Sequence, residues 1–242
     1  MKLTSTLYEA IPLEDTKLRG IVSRYTHDIQ YKYKRWSVNG KINWLGLNIV
    51  IGGKSGSGKS SFVNHLIRKT LFQTDDVQAC TRNVQSVFLF QGALLPGQKA
   101  LSQHDLSGVL LTDLPGISES VCRQYEYEEL HRIWIEDSYR FVYLVKADDR
   151  ALEIDEKFIS SIPTPIKEKL LIGISQADRI APYREWKTLD AYRGAPSFEQ
   201  SKNLQRKIDD IAYRFRLDPY FIQPFSAHGS WQLESLMHKL FL

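Results

Sequence analysis

The chain has 242 residues, 43% hydrophobic and 25% charged, a balance that argues against wholesale disorder and suits one generous α/β domain. No stretch approaches the roughly 18 unbroken apolar residues of a membrane span, residues 1–10 lack a signal-peptide run, and Cys80 and Cys122 have no metal-ligand or disulfide-scaffold spacing, so a cytoplasmic location is expected. The net charge of +4 is too small to argue for nucleic acid by itself, but all of it lies in residues 1–45, with eight Lys/Arg against four Asp/Glu.

From Leu18 that basic segment places Ile21, Val22, Tyr25, Ile29, Tyr33 and Trp36 at steps of mostly three and four, the stripe of an amphipathic helix. Lys32, Lys34 and Arg35 crowd its end, where cations suit the helix dipole. Residues 1–44 are expected as a basic helical arm, either docked on the next domain or offered to a ribosomal, RNA or membrane surface. Beyond the turn Ser37-Val38-Asn39-Gly40 the rhythm changes. Apolar runs at Leu47–Ile51, Val84–Phe90, Val109–Leu111, Phe141–Val145, Leu170–Ile174 and Tyr220–Phe225 read as strands buried on both faces. Helical patterns at Phe62–Ile67 and Leu204–Phe215 lie between them. The expected fold is an α/β domain over 45–242, a mainly parallel six-stranded sheet with helices on both faces. Residues 180–200 read as an irregular insertion.

Directly after the first run stands Gly53-Lys54-Ser55-Gly56-Ser57-Gly58-Lys59-Ser60, followed by Ser61. This is the phosphate-loop pattern, and each part has a task. The glycines let successive N–H groups turn inward around phosphate, and the helix opening at Gly58–Ser60 adds its positive end. Lys59 can reach β- and γ-phosphate oxygens, while the Ser60 hydroxyl can ligate Mg²⁺.

Later strand ends decide which nucleotide is read. Val109–Leu111 runs into Asp113-Leu114-Pro115-Gly116, in which Asp113 would hold Mg²⁺ through water and the Gly116 N–H would meet the γ-phosphate. Leu170–Ile174 runs into Ser175-Gln176-Ala177-Asp178, shaped like an Asn-Lys-x-Asp element with Ser for Asn and Gln for Lys. The Asp178 carboxylate can accept from the N1–H and N2–H₂ groups of guanine, which adenine lacks; the alternative is an aspartate capping a helix. Ser175 is shorter than Asn, and the Gln176 methylenes can still cover a base. Tyr220–Phe225 ends in Ser226-Ala227-His228, whose backbone amides would support the guanine oxygen.

With Ala79-Cys80-Thr81-Arg82, Val145-Lys146-Ala147-Asp148-Asp149-Arg150-Ala151 and Asp113–Ser120, these motifs resemble the TRAFAC-class GTPases, specifically the bacterial YfjP/YeeP-like group of Era-type GTP-binding proteins. The resemblance covers about residues 45–242. It implies a P-loop GTPase domain that binds GTP and GDP with Mg²⁺, in which Thr81 contacts metal and γ-phosphate only in the triphosphate state. Without the resemblance, Thr74 competes for that role. The second switch would run from Gly116 to about Glu129.

Lys59, Thr81 and Gly116 are therefore the catalytic candidates, and Ser60, Thr81 and Asp113 the metal ligands. After Gly116 comes Ile117, where many GTPases carry a water-orienting glutamine. Gly56 stands where potassium-using relatives carry asparagine. Slow intrinsic hydrolysis, stimulated by dimerisation or a partner, is the expectation; a nucleotide-gated module without hydrolysis is the rival, and an ATPase or kinase a weaker one. Asp148-Asp149-Arg150 is either a solvated loop with local ion pairs or part of a subunit interface over the nucleotide.

Overall fold

The computed structural model of the chain describes residues 5–19, 21, 34–38, 42–73, 84–90, 105–117, 131–190, 193–227 and 230–242. Its central feature is a sheet built from β1 (Ser5–Pro12), β2 (Lys34–Val38), β3 (Ile42–Gly53), β4 (Val84–Phe90), β5 (Asp105–Asp113), β6 (Arg140–Lys146), β7 (Leu170–Ser175) and β10 (Ile222–Pro224). The order across the sheet is β1-β4-β5-β3-β6-β7-β10, with β2 added beside β3. Pairing is parallel except for β4 with β5 and β2 with β3. All six expected apolar runs lie in this sheet. The last is shorter than expected, since Pro219–Phe221 forms a 3₁₀ turn and only Ile222–Pro224 is strand.

Two strands were not anticipated, and both come from the segment expected to be a helical arm. β1 pairs with β4 from Ser5↔Val84 to Pro12↔Phe90. β2 pairs with the first half of β3, from Lys34↔Gly46 to Val38↔Ile42. Lys34, Arg35 and Trp36 are thus strand residues, and the domain boundary expected at 45 falls inside β3. Residues 22–33 of the expected helix lie outside the described residues. The reason is tertiary. β5 takes one edge of β3 from Asn43 to Ile51, while β6 takes the other only from Ile49, which leaves Ile42–Gly46 open on that side. A strand laid there satisfies backbone groups that helical periodicity in β2 does not forecast.

Helices α1 (Lys59–Ile67), α2 (Glu153–Ser161), α3 (Thr164–Lys167), α4 (Phe198–Phe215) and α5 (Leu233–Lys239) accompany the sheet. α4 starts at a capping box in which Ser197 Oγ accepts from Gln200 N and Gln200 Oε1 accepts from Ser197 N. Residues 180–200 are more ordered than expected, holding a small antiparallel pair of β8 (Lys187–Asp190) and β9 (Arg193–Ala195).

Two apolar clusters hold the sheet. In one, Ile11, Leu13, Leu18 and Ile21 of the N-terminal segment pack with Phe62, Val63, Leu66 and Ile67 of α1. The Lys17 N–H donates to the Leu66 carbonyl at 3.0 Å, and Lys17 Nζ donates to His65 Nε2. Desolvation, then the charges of Lys17 and Arg68, lower the His65 pKa from 6.5 to about 4. The folded state therefore binds fewer protons than the unfolded chain between those values. Stability is expected to be intact above about pH 6.5 and to fall as the pH drops towards 4. Urea unfolding across that range checks this; a slope that persists unchanged in His65→Gln would assign it elsewhere.

Candidate functional site

The phosphate loop leaves β3 at Gly53 and enters α1 at Lys59. Gly53 has φ 140°, and a Cβ there would stand 2.5 Å from the Leu144 carbonyl oxygen, so only glycine fits. Gly58 precedes α1 in the left-handed region at φ 85°. The Ser57 N–H donates to the Lys54 carbonyl at 3.2 Å, and the same carbonyl accepts from Lys59 Nζ at 3.0 Å. Lys59 is buried, folded back along the loop rather than extended into solvent. The first turn of a nine-residue helix, with its positive dipole end, follows directly.

At the loop's end, Ser60 Oγ donates to Asp113 Oδ2 at 2.6 Å. Asp113 is fully buried at the last position of β5, opposite Ile51 of β3. The chain after it folds against the loop: the Leu114 N–H donates to the Ile51 carbonyl and the Ile117 N–H to that of Gly53. Gly116 is buried in this turn. Below it, His131 Nε2 lies 2.8 Å from the Pro115 carbonyl oxygen. Ile117 packs against the second apolar cluster.

The base-reading elements gather on the loop's other side. Ser175 Oγ donates to the Ser57 carbonyl at 2.7 Å, so the shorter side chain still ties the loop to β7. Gln176 Nε2 donates to the Gly56 carbonyl at 3.3 Å. Asp178 lies in the 3₁₀ turn Ala177–Arg179. Its Oδ1 accepts from Ser226 Oγ at 2.6 Å, which sets the carboxylate's orientation from the turn after β10. Gln176, not Asp178, holds the N-cap position of that 3₁₀ turn. Ser226 is fully buried, and its N–H donates to the Trp231 carbonyl at 3.0 Å, holding the turn that carries Ala227.

Thr81, Thr74, Arg82 and His228 lie outside the described residues, as does the second switch beyond Ile117. Ser55 and Ser61 are exposed. Lys54 contributes its backbone to the loop, but its ammonium turns to Asp149 Oδ2 at 2.5 Å and Asp155 Oδ2 at 2.8 Å. Asp149 thus takes part in a local ion pair, as the reading of a solvated loop with local ion pairs expects.

Asp155 was missed by sequence reasoning, although a signal exists. Leu152, Asp155, Ile159 and Ile162 recur at helical spacing and all are buried, so one carboxylate stands on an apolar stripe. Tyr143 OH donates to its Oδ1 at 2.7 Å. Burial pushes the Asp155 carboxyl upward despite Lys54. Burial also pulls the Lys54 ammonium down, but hydrogen bonds to Asp149 and Asp155 outweigh it, and the net shift is upward.

Residues 48–175 match the family described as 50S ribosome-binding GTPase. YfjP of Escherichia coli (strain K12), itself described as uncharacterised, is 35% identical over 161 residues, covering 66% of this chain and 49% of YfjP. The chain spans about half the length of the curated relatives it matches. Among solved structures, Era from Aquifex aeolicus bound to GDP and AlF4⁻ matches with TM-score 0.59 at 19% identity, over 81% of this chain and 56% of Era. A dimerisation-deficient mutant of Toc33 from Arabidopsis thaliana matches with TM-score 0.56 at 16% identity, over 96% of this chain and 92% of Toc33. At these identities both likenesses are of fold.

Proposed function

Because the chain belongs to the 50S ribosome-binding GTPase family, we propose that it is a GTP-binding switch protein that hydrolyses GTP to GDP and phosphate with Mg²⁺. The observation that carries this reading is the meeting of Ser60 and Asp113, 2.6 Å apart, where the phosphate loop enters α1. A hydroxyl and a buried carboxylate are hard oxygen donors of the kind Mg²⁺ takes, and Mg²⁺ generally completes its shell with phosphate and water oxygens. Thr81 is the third residue nominated for that site. When bound, Mg²⁺ would supply charge neutralisation on the β- and γ-phosphate oxygens.

The chain's own groups do the rest. The loop amides and the head of α1 grip the phosphates. Lys59 leaves the Lys54 carbonyl to meet β,γ oxygens as their charge grows. The Gly116 N–H faces the γ-phosphate. Asp178, oriented by Ser226, chooses guanine, while Ala227 and His228 support the base oxygen. Partners in this reading are GTP and GDP, a second copy of the chain, and a ribosomal, RNA or membrane surface met through basic residues 1–45. No helix among the described residues is long and apolar enough to cross a membrane.

Ile117 can neither donate nor accept through its side chain and is packed into the apolar cluster. Hydrolysis is therefore slow in the isolated chain and rises with dimerisation or partner binding. Toc33, solved in a dimerisation-deficient form, is a precedent for a pairing protein of this fold. The same isoleucine favours a second reading, a nucleotide-gated binding module with negligible hydrolysis. Single-turnover assays in potassium and in sodium, across a protein-concentration series, separate the two. A slow rate that climbs with concentration is expected; bound GTP with no phosphate release at any concentration would favour the second reading.

A further inference from the structure

Gly53-Lys54-Ser55-Gly56-Ser57-Gly58-Lys59-Ser60 is a stretch with little intrinsic stiffness, and three of its glycines occupy positive φ. Holding such a segment in one shape costs conformational entropy. Something outside the loop must offset that. Ser175 and Gln176 grip its apex at the Ser57 and Gly56 carbonyls. The third grip is at its first turn and comes from the loop itself.

Lys54 Nζ meets three oxygens: Asp149 Oδ2 at 2.5 Å, Asp155 Oδ2 at 2.8 Å and the Ala151 carbonyl at 2.7 Å. The two carboxylate contacts are ion pairs and the third is a hydrogen bond to a backbone carbonyl. The acceptors are themselves fixed. Asp155 is fully buried and accepts a hydrogen bond from the Tyr143 hydroxyl on its other oxygen. Asp149 Oδ1 accepts from the Ala151 N–H at 3.0 Å, and its carbonyl accepts from Lys207 Nζ of α4. Two cations and two carboxylates balance within the cluster. It joins the phosphate loop to β6, to residues 147–152, to α2 and to α4. The tie also reaches the chemistry, because the Lys54 carbonyl is the acceptor on which Lys59 rests.

We propose that Lys54 is a positioning residue that keeps the phosphate loop in its binding shape before any nucleotide arrives. The inference rests on the GTPase reading for its functional consequence. A prebuilt loop spares nucleotide binding the cost of ordering it. GDP and GTP both contact the loop, so the benefit is uniform binding, which appears in KM and not in kcat. Arginine is a poor substitute, because a planar fork does not meet three oxygens converging on one nitrogen.

The test uses the full chain with two variants. Lys54→Met alone strands a buried carboxylate and can fail to fold. Lys54→Met/Asp155→Asn removes the tie without stranding that charge, and the amide oxygen that replaces the carboxylate still accepts from Tyr143. The double variant is expected to melt near the wild type yet to bind GDP and GTP equally more weakly, by roughly 10- to 100-fold. Its loss falls on KM, with kcat preserved. In nucleotide-free protein, amide exchange of residues 54–58 is expected to quicken. A folded double variant with wild-type affinities and wild-type exchange overturns the proposal, and so does a loss confined to GTP or to kcat. A wild type that binds no guanine nucleotide would sink the GTPase reading instead, while the exchange measurement would still report on the tie.

Discussion

Asp178→Asn is expected to turn the protein's preference from GTP towards XTP. Guanine presents N1–H and N2–H₂ donors on one edge, and a carboxylate can accept both. An asparagine amide accepts one and places its own N–H₂ against the other, so a matched pair becomes one bond and one clash of donors. Xanthine carries a carbonyl at that carbon, and the amide then fits. Ser226 makes the test clean. Its hydroxyl donates to Oδ1 at 2.6 Å, and an amide oxygen at that position accepts equally well, so orientation survives the change. Hydrogen bonds to charged groups are worth roughly 1.5–3 kcal/mol each, so GTP affinity should fall by about 100-fold or more. Competition titrations with GTP, XTP and ATP measure it. Retained guanine preference would show that Asp178 does not read the base.

The second large effect is expected from Lys59→Ala. Lys59 is buried with its ammonium on the Lys54 carbonyl, at the first position of α1. Alanine is a good helix former there, so the fold should persist. What goes is a cation beside phosphate oxygens in a sheltered site, where a charge-assisted contact is roughly twice as strong as a neutral one. Triphosphate affinity should fall by about 100-fold, with the melting temperature changed little. Fluorescent-nucleotide titration beside a thermal melt decides it. Unchanged affinity in a folded variant would remove this loop from the nucleotide site.

Much of the architecture was legible in one dimension. The runs at Val84–Phe90, Phe141–Val145 and Leu170–Ile174 are strands because β-branched and aromatic residues buried on both faces leave a mark that polar context does not erase. α4 was legible for a related reason, with Leu204, Ile211 and Phe215 turned to the core. The N-terminal segment misled. Its steps of three and four suggested one helix, yet Lys34–Val38 lies along β3. Helical spacing is a statement about one element's own faces. It is silent about an open edge elsewhere that a strand can fill.

The candidate site divides the same way. Residues adjacent in the chain, from Gly53 to Ser60, permit their turn locally, through glycine freedom and a helix start, while contacts from outside the loop hold its shape. The amino-acid order therefore determined the place of the phosphate loop, the alternation of strands and helices, and the strand ends where the other motifs sit. Tertiary structure alone decided which distant groups meet: Ser60 with Asp113, Ser175 with Ser57, Ser226 with Asp178, and Lys54 with Asp155. Each of those pairs joins different elements, and their meeting depends on strand order and register across the sheet. Local conformational preference carries no record of either, because both are set by long-range pairing and by burial of the two sheet faces.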